Sequence, residues 1–150
     1  MFNEISSFID VVALTEVDEK EELMYYDIKG FEKYFKLRSD RKGGGVCLYI
    51  KNNLSFEEKT YKTNNYENIQ GIINGKKGKI FILLMYRPPN LSKTLFINEL
   101  NENLDNIAEG NKILTIIGDI NINLHEHCTI NSIYKDALYS RDFQHNTRRV

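Results

Sequence analysis

The sequence predicts an α/β fold in which packed β-sheets carry helices on their outer faces. Short runs rich in β-branched and aromatic residues recur along the chain and are typical of strands. A segment at 96–107 has apolar residues at helical spacing and is typical of an amphipathic helix. Several predicted strands end in polar side chains, which places a candidate site along one rim of the sheets.

The composition fits one globular domain, residues 1–150. Of the 150 residues, 41% are hydrophobic and 27% are charged, as is typical of a folded protein. A protein that binds nucleic acid by charge alone is strongly basic, and the net charge of −1 excludes that class. Any contact with nucleic acid would therefore be local and metal-assisted. Because we find no signal peptide and no apolar stretch of membrane-spanning length, we expect an intracellular protein, nuclear or cytoplasmic, with no membrane partner.

The first half of the chain predicts a short helix followed by five strands. Apolar residues at helical spacing indicate a helix over 2–9. The three glycines at 43–45 indicate a tight bend, since they lead into a strand and lack the pattern of a phosphate-binding loop. Asn74-Gly75 is a strong hairpin signal between the last two strands. The predicted strands are 11–14, 31–37, 46–50, 66–73 and 80–85.

The second half predicts a loop, two helices and one more strand. Two prolines make 86–90 a loop, because neither can donate to a strand ladder. Ser92 suits the N-cap of the amphipathic helix, and Gly110 suits the position just beyond its end. The run 113–117 predicts a fully buried strand, and 133–138 predicts the start of the last helix. The apolar stripe of the first of these helices is Phe96, Leu100, Leu104 and Ile107.

A carboxylate and a carboxamide follow the strand at 113–117. In an extended chain, residues i and i+2 project to the same side, so Asp119 and Asn121 would point together into a cleft. An anionic oxygen beside an amide suits a hard cation, or a phosphate with a water. Glu16 likewise directly follows a predicted strand. Carboxylates at two strand ends are an oxygen-rich set that Mg²⁺ accepts, although Glu16 alone also fits a solvent-exposed loop.

The loop Tyr86-Arg87-Pro88-Pro89-Asn90 has two interpretations. In one, it is a rigid connection from strand to helix, in which Tyr86 packs and Arg87 is solvated. In the other, the prolines hold a phenol and a guanidinium against a phosphodiester. The spacing alone favours neither interpretation.

Four segments, taken in order, resemble the endonuclease/exonuclease/phosphatase superfamily. The chain is most similar to one branch of it, the apurinic-type endonuclease domain at the N-terminus of non-LTR retrotransposon reverse transcriptases. Each motif alone is weak, but their order is specific and the resemblance covers essentially the whole chain. The segments are 13–16 (ALTE), 43–50 (GGGVCLYI), 86–90 (YRPPN) and 118–124 (GDININL).

The resemblance implies a four-layered α/β sandwich of two mixed β-sheets flanked by helices. It also implies that the chain lacks the family's first and last strands. An Asn near the metal and an Asp-His pair belong to those strands, so we expect a truncated domain. Ile120 stands where the family usually has an aromatic residue.

The resemblance also implies roles for individual residues. Glu16 matches the family's principal Mg²⁺ ligand, with Mn²⁺ as an alternative ion. Asp119 matches the residue that orients or deprotonates the attacking water, and Asn121 matches its partner at the phosphate and the water. Tyr86 matches the tyrosine that contacts the scissile phosphate. The expected substrate-binding residues are Arg87 and Asn90.

These roles imply Mg²⁺-dependent hydrolysis of a phosphodiester, with DNA as the partner. We expect a DNA-nicking endonuclease domain of a retroelement, with a reverse transcriptase domain in the intact parent protein and with activity impaired by the truncation. Two alternatives stay open: a phosphatase of the same fold, and a catalytically inactive relic of a retroelement.

Overall fold

The structure is a computed structural model and describes residues 8–17, 27–37, 44–75, 78–108, 113–126 and 128–139. These residues contain two β-sheets and two helices. The strands are β1 (Val11–Thr15), β2 (Phe31–Lys36), β3 (Val46–Lys51), β4 (Ser55–Lys59), β5 (Glu67–Gly75), β6 (Gly78–Tyr86) and β7 (Leu114–Asp119). The helices are α1 (Lys93–Ala108) and α2 (Thr129–Tyr139). The helix expected at 2–9 and the expected terminator Gly110 lie outside the described residues, apart from 8–9.

The two sheets differ in their strand directions. Sheet A has the order β1-β3-β2, and both of its strand pairs are antiparallel. Sheet B has the order β4-β5-β6-β7, and only its last pair, β6 with β7, is parallel. The antiparallel pairing of β5 with β6 confirms the hairpin that Asn74-Gly75 predicts. Sheet B is therefore mixed and sheet A, in its described strands, is antiparallel.

A hydrophobic core fills the space between the sheets. Its buried side chains come from β3, β5 and β6, and side chains of β1, β2, β4 and β7 pack against them. This core explains why β3, β5 and β6 are apolar over most of their length. The buried residues are Val46, Leu48, Ile50, Ile69, Ile73, Ile82, Leu84 and Tyr86.

A second core joins the other face of sheet B to the helices. Helix α1 begins where Ser92 accepts the N–H of Leu95 at 3.3 Å on its side-chain oxygen, as an N-cap does. The predicted stripe is confirmed, because its four residues are all buried against sheet B: Phe96, Leu100, Leu104 and Ile107. In the described parts of the chain, neither helix combines the length and the apolarity needed to cross a bilayer.

Strand β4 is missing from the sequence prediction. Its sequence, SFEEK, contains one large apolar residue, Phe56, and three charged ones. Phe56 packs into the core between the sheets and meets the Tyr34 ring edge-on at a centroid distance of 4.7 Å. Because β4 is an edge strand with one apolar anchor, pairing with β5 defines it more than its own pattern does.

The strands expected to be buried at 11–14 and 113–117 exist, but full burial is wrong for both. Leu14 is 42% exposed, and Ile113, just before β7, is 53% exposed. Among the described strands, β1 pairs with β3 alone and β7 with β6 alone, so each lies at an edge of its sheet. A run of apolar residues indicates a strand but not how many neighbours cover it.

Candidate active site

Two predicted site residues, Tyr86 and Asp119, lie at one end of sheet B, in a row that Glu67 extends to a third strand. Tyr86, the last residue of β6, is paired with Glu67 of β5 and with Asp119 of β7. Residues paired across neighbouring strands project to the same face of a sheet. Tyr86 is buried in the core between the sheets, so Glu67 and Asp119 also face the side where sheet A lies.

Glu16 reaches this row from the other sheet. It follows the last residue of β1, and its Oε1 accepts a hydrogen bond of 2.7 Å from the Tyr86 hydroxyl. Tyr86 is 4% exposed, whereas Glu16 lies at the surface. The contact brings together two predicted site residues that belong to different sheets.

The backbone of Glu16 adopts a conformation that is rare for a residue with a side chain. Its φ is 60°, and such a conformation costs about 1–3 kcal/mol and persists only where the surroundings hold it. The next residue, Val17, donates its N–H to the carbonyl of Gly45 at 3.3 Å. The N–H of Gly45 in turn donates to a carboxylate oxygen of Glu67. Glu67 thus tethers the end of β1 to sheet B through one glycine.

Gly45 is required at this junction. Its φ is +96°, and a Cβ atom there would collide with the carbonyl of Val17. The tight bend predicted for 43–45 is confirmed at Gly44 and Gly45, which both have φ of 96°. Residue 43 lies outside the described residues. Glu67 is not among the predicted site residues, although a carboxylate at the head of an apolar strand is a usable signal.

Gly118 allows the end of β7 to approach β6 closely. Its φ is +140°, and a Cβ atom there would overlap the carbonyl of Met85. This contact sets Asp119 directly beside Tyr86 in the register. The glycine before Asp119 is therefore explained by packing against the neighbouring backbone.

Asp119 and Asn121 lie side by side, but not because the chain is extended. Strand β7 ends at Asp119, and Asn121 turns into the left-handed region with a φ of 50°. The N–H of Asn121 then donates to Oδ1 of Asp119 at 2.8 Å. The two residues are in contact, but the extended chain from which this was predicted is wrong, and the shared direction of their side chains stays a prediction. Asn tolerates this conformation better than most residues do.

Neither interpretation of Arg87 matches its position. The side chain is 0% exposed, so it is not solvated, and its guanidinium does not face the surface to meet a phosphodiester. All three guanidinium nitrogens donate to backbone carbonyls, at 2.6–3.0 Å. Burial lowers the pKa of Arg87 from its usual value, and the charge of Asp119 partly offsets this effect. The assignment of Arg87 to substrate binding is therefore wrong, and its contacts are with the protein itself.

Asn90 lies exposed in the turn that follows Arg87. The N–H of Leu91 closes this turn onto the carbonyl of Pro88 at 3.1 Å. A role for Asn90 in substrate binding stays a prediction.

The oxygen donors at this rim fit Mg²⁺. Glu16 and Asp119 supply carboxylates, and Asn121 supplies an amide. Mg²⁺ is usually held by one or two carboxylates and completes its shell with waters and substrate phosphate. Among the described residues, no group of three or more His, Cys, Asp or Glu side chains is placed to hold a metal alone. The donor set therefore suits an ion that water and substrate help to bind.

The structure is similar to several solved structures. The human Nocturnin catalytic domain, solved with a bound sulfate anion, has a TM-score of 0.63 and 21% identity over 93% of this chain and 60% of that one. The endonuclease domain of TRAS1, a telomere-specific non-LTR retrotransposon, has a TM-score of 0.66 and 15% identity over 93% and 62%. ANGEL2, a 2′,3′-cyclic phosphatase, has a TM-score of 0.57 and 18% identity over 80% and 42%. No protein-family model and no curated protein sequence matches the chain.

These solved structures are members of the endonuclease/exonuclease/phosphatase superfamily, and the chain has the fold of that superfamily. The α/β sandwich that the sequence predicts is confirmed. The chain spans 60% of the Nocturnin domain and 62% of the TRAS1 domain.

Proposed function

We propose that the chain is an endonuclease domain that nicks DNA by Mg²⁺-dependent hydrolysis of a phosphodiester, and that it derives from a non-LTR retrotransposon. In the intact parent protein, a reverse transcriptase domain would use the nick. The fold is shared by nucleases and phosphatases, so the choice between them depends on the site and on the motifs.

One observation carries the proposal: the hydrogen bond from Tyr86 to Glu16, which joins the two sheets at their common rim. Asp119 is paired with Tyr86 in the register, and Asn121 donates to Asp119. Among the described residues other than glycine, two have a positive φ. They are Glu16 and Asn121, and both belong to this set. Strained backbone of this kind clusters at functional sites.

Each side chain of the site has its own role in the proposed reaction. Glu16 would hold Mg²⁺, with Mn²⁺ as an alternative, and the ion would act as a Lewis acid on the charge that develops at the phosphate. Tyr86 orients the Glu16 carboxylate by donating to one of its oxygens. The Asp119 carboxylate accepts a proton from the attacking water and fixes its direction. Asn121, whose backbone N–H donates to Asp119, would contact phosphate and water through its side-chain amide.

The net charge of −1 limits how the chain can bind DNA. A protein that neutralises many phosphates carries a strong positive charge. Binding would instead depend on a few contacts around the metal, so we expect weak affinity in the absence of Mg²⁺.

The test is nicking of supercoiled plasmid by the purified chain with Mg²⁺ and with EDTA. Glu16→Gln and Asp119→Asn keep the shape of each side chain and remove its charge, so each slows nicking strongly at the Mg²⁺ concentration that gives the wild type its half-maximal rate, if the proposal is correct. Glu102→Gln and Asp136→Asn are matched controls, because they make the same changes at exposed positions on α1 and α2.

The other outcomes separate the alternatives. Activity on inositol phosphates without nicking would identify a phosphatase of the same fold. No activity on either substrate would identify an inactive relic. Nicking at the wild-type rate in both site variants would come from a contaminating nuclease and would contradict the proposal.

A further inference from the structure

We propose that Arg87 is a positioning residue whose buried guanidinium fixes the backbone at 119–121 and thereby the side chains of Asp119 and Asn121. This inference goes beyond the proposed function by adding a residue that touches neither substrate nor metal. It depends on that function only for its effect on catalysis.

Arg87 contacts three successive carbonyl groups at the end of β7. Its backbone N–H donates to the carbonyl of Asp119 at 2.9 Å. Its Nε donates to Ile120 at 2.6 Å, and its Nη2 donates to Asn121 at 2.6 Å. The chain leaves the sheet at this point, so these carbonyls need donors from outside the strand ladder. One residue supplies all three.

The contact is reciprocal at Asn121. Its side-chain Nδ2 donates to the carbonyl of Arg87 at 2.9 Å, while its own carbonyl accepts from the guanidinium. These bonds hold Asn121 at a φ of 50°, a conformation that persists only where the surroundings enforce it. In that conformation the N–H of Asn121 reaches the carboxylate of Asp119. Arg87 thus acts on both side chains through the backbone of Asn121.

The remaining guanidinium nitrogen ties this turn to the loop after β6. Nη1 donates to the carbonyl of Pro88 at 3.0 Å and to that of Leu91 at 2.6 Å. A guanidinium is a rigid planar fork, so it fixes the two segments at a set separation. The ammonium group of a lysine has its donors on one atom and cannot span them.

The test uses the full ¹⁵N-labelled chain and the variants Arg87→Lys and Arg87→Met. Leu104→Ala is the control, because Leu104 is fully buried between α1 and sheet B and its loss lowers stability without touching the turn. Each variant is measured below its own Tm, where circular dichroism shows it folded. The readouts are the backbone and side-chain amide signals of Asn121, and kcat and KM for plasmid nicking.

In folded Arg87→Lys, the NMR signals of the Asn121 amides shift, and the amide hydrogens exchange faster with solvent. The kcat for nicking falls about a hundredfold with KM unchanged, because a misplacement of about 1 Å has an effect of this size. Leu104→Ala lowers Tm and leaves both readouts as in the wild type. Unchanged Asn121 signals in Arg87→Lys would overturn the proposal. Rapid exchange of the Arg87 Nε–H with solvent in the wild type would also overturn the proposal. This measurement needs no variant, so it tests the proposal even if neither variant folds.

Failure of the proposed function has a different signature. A wild-type chain that does not nick DNA contradicts the endonuclease, whereas the Asn121 signals still decide whether Arg87 holds the turn.

Discussion

The hydroxyl of Tyr86 donates to the carboxylate of Glu16 at 2.7 Å, although the two residues are 70 positions apart and belong to different sheets. The bond crosses the sandwich at its rim, where Asp119 also ends its strand beside Tyr86. A site assembled in this way depends on how the two sheets pack. Substitutions that shift one sheet against the other should therefore alter activity before they unfold the chain.

Tyr86→Phe removes the bond between the sheets and leaves the ring in the core. We expect the free energy of unfolding to fall by about 1 kcal/mol, and nicking to slow about tenfold to a hundredfold because Glu16 loses the partner that orients it. Denaturant titration and plasmid nicking measure the two effects.

Tyr66→Phe is the matched control for this change. The Tyr66 hydroxyl accepts a hydrogen bond of 2.9 Å from Asn103, in the core between α1 and sheet B. We expect a similar loss of stability and no change in nicking. Equal nicking by Tyr86→Phe and the wild type would show that the contact with Glu16 has no role in activity.

Gly118→Ala should be among the most damaging single substitutions in the chain. Its Cβ would overlap the carbonyl of Met85, and its φ of +140° is unfavourable for alanine. We expect a loss above about 4 kcal/mol, or no folded protein. Gly78→Ala isolates the backbone cost, since Gly78 has a φ of +135° with nothing within 4 Å of the added atom. It should lose only about 1–3 kcal/mol. Equal thermal stability of the two variants would contradict the close approach of β7 to β6.

Glu67→Gln should weaken the tether at the end of β1. Glu67 accepts the N–H of Gly45, and a glutamine oxygen in its place carries no charge. We expect a loss of about 1 kcal/mol together with slower nicking, because Val17 and Glu16 follow the position of Gly45. Glu58→Gln, at an exposed position on neighbouring β4, is the control. Faster nicking in Glu67→Gln would contradict a tethering role.

Stability should fall in alkaline solution because of buried tyrosines. Loss of hydration on burial raises the pKa of Tyr49 and of Tyr134 from 10.0 to about 12. Between these values the unfolded chain loses protons that the native chain keeps, so stability is complete below about pH 10 and decreases towards pH 12. The fall of the denaturant midpoint across this interval should be smaller in Tyr134→Phe, where Tyr49 still contributes, and should be as in the wild type in Tyr139→Phe, which alters an exposed side chain. A denaturant midpoint that rises with pH in this interval would contradict the raised pKa values of the buried tyrosines.

The sequence predicts the elements whose own pattern defines them. The stripe of α1 and the runs of β3 and β6 face the cores of the structure, because burial selects apolar residues at a fixed period. Edge positions are different. The apolar run of β7 predicts burial, but sheet order determines its exposure, and pairing between distant segments leaves no local pattern.

The candidate site, like the fold, is predicted by the sequence only in part. The residue types at Glu16, Asp119 and Asn121 indicate oxygen donors, and the structure places Asp119 and Asn121 side by side. The left-handed turn at Asn121 and the burial of Arg87 could not be predicted, because both depend on backbone carbonyls that other segments bring near. An exposed arginine and a buried one have the same sequence signature in a loop with two prolines.

The most direct test of one Mg²⁺-dependent site shared by both sheets is the Mg²⁺ dependence of plasmid nicking in Glu16→Gln and Asp119→Asn. If Glu16 holds the ion, Glu16→Gln raises the Mg²⁺ concentration for half-maximal rate by about tenfold or more. If Asp119 activates water, Asp119→Asn lowers the maximal rate and leaves that concentration unchanged. Wild-type Mg²⁺ curves in both variants, or nicking that persists in EDTA, would contradict the shared site.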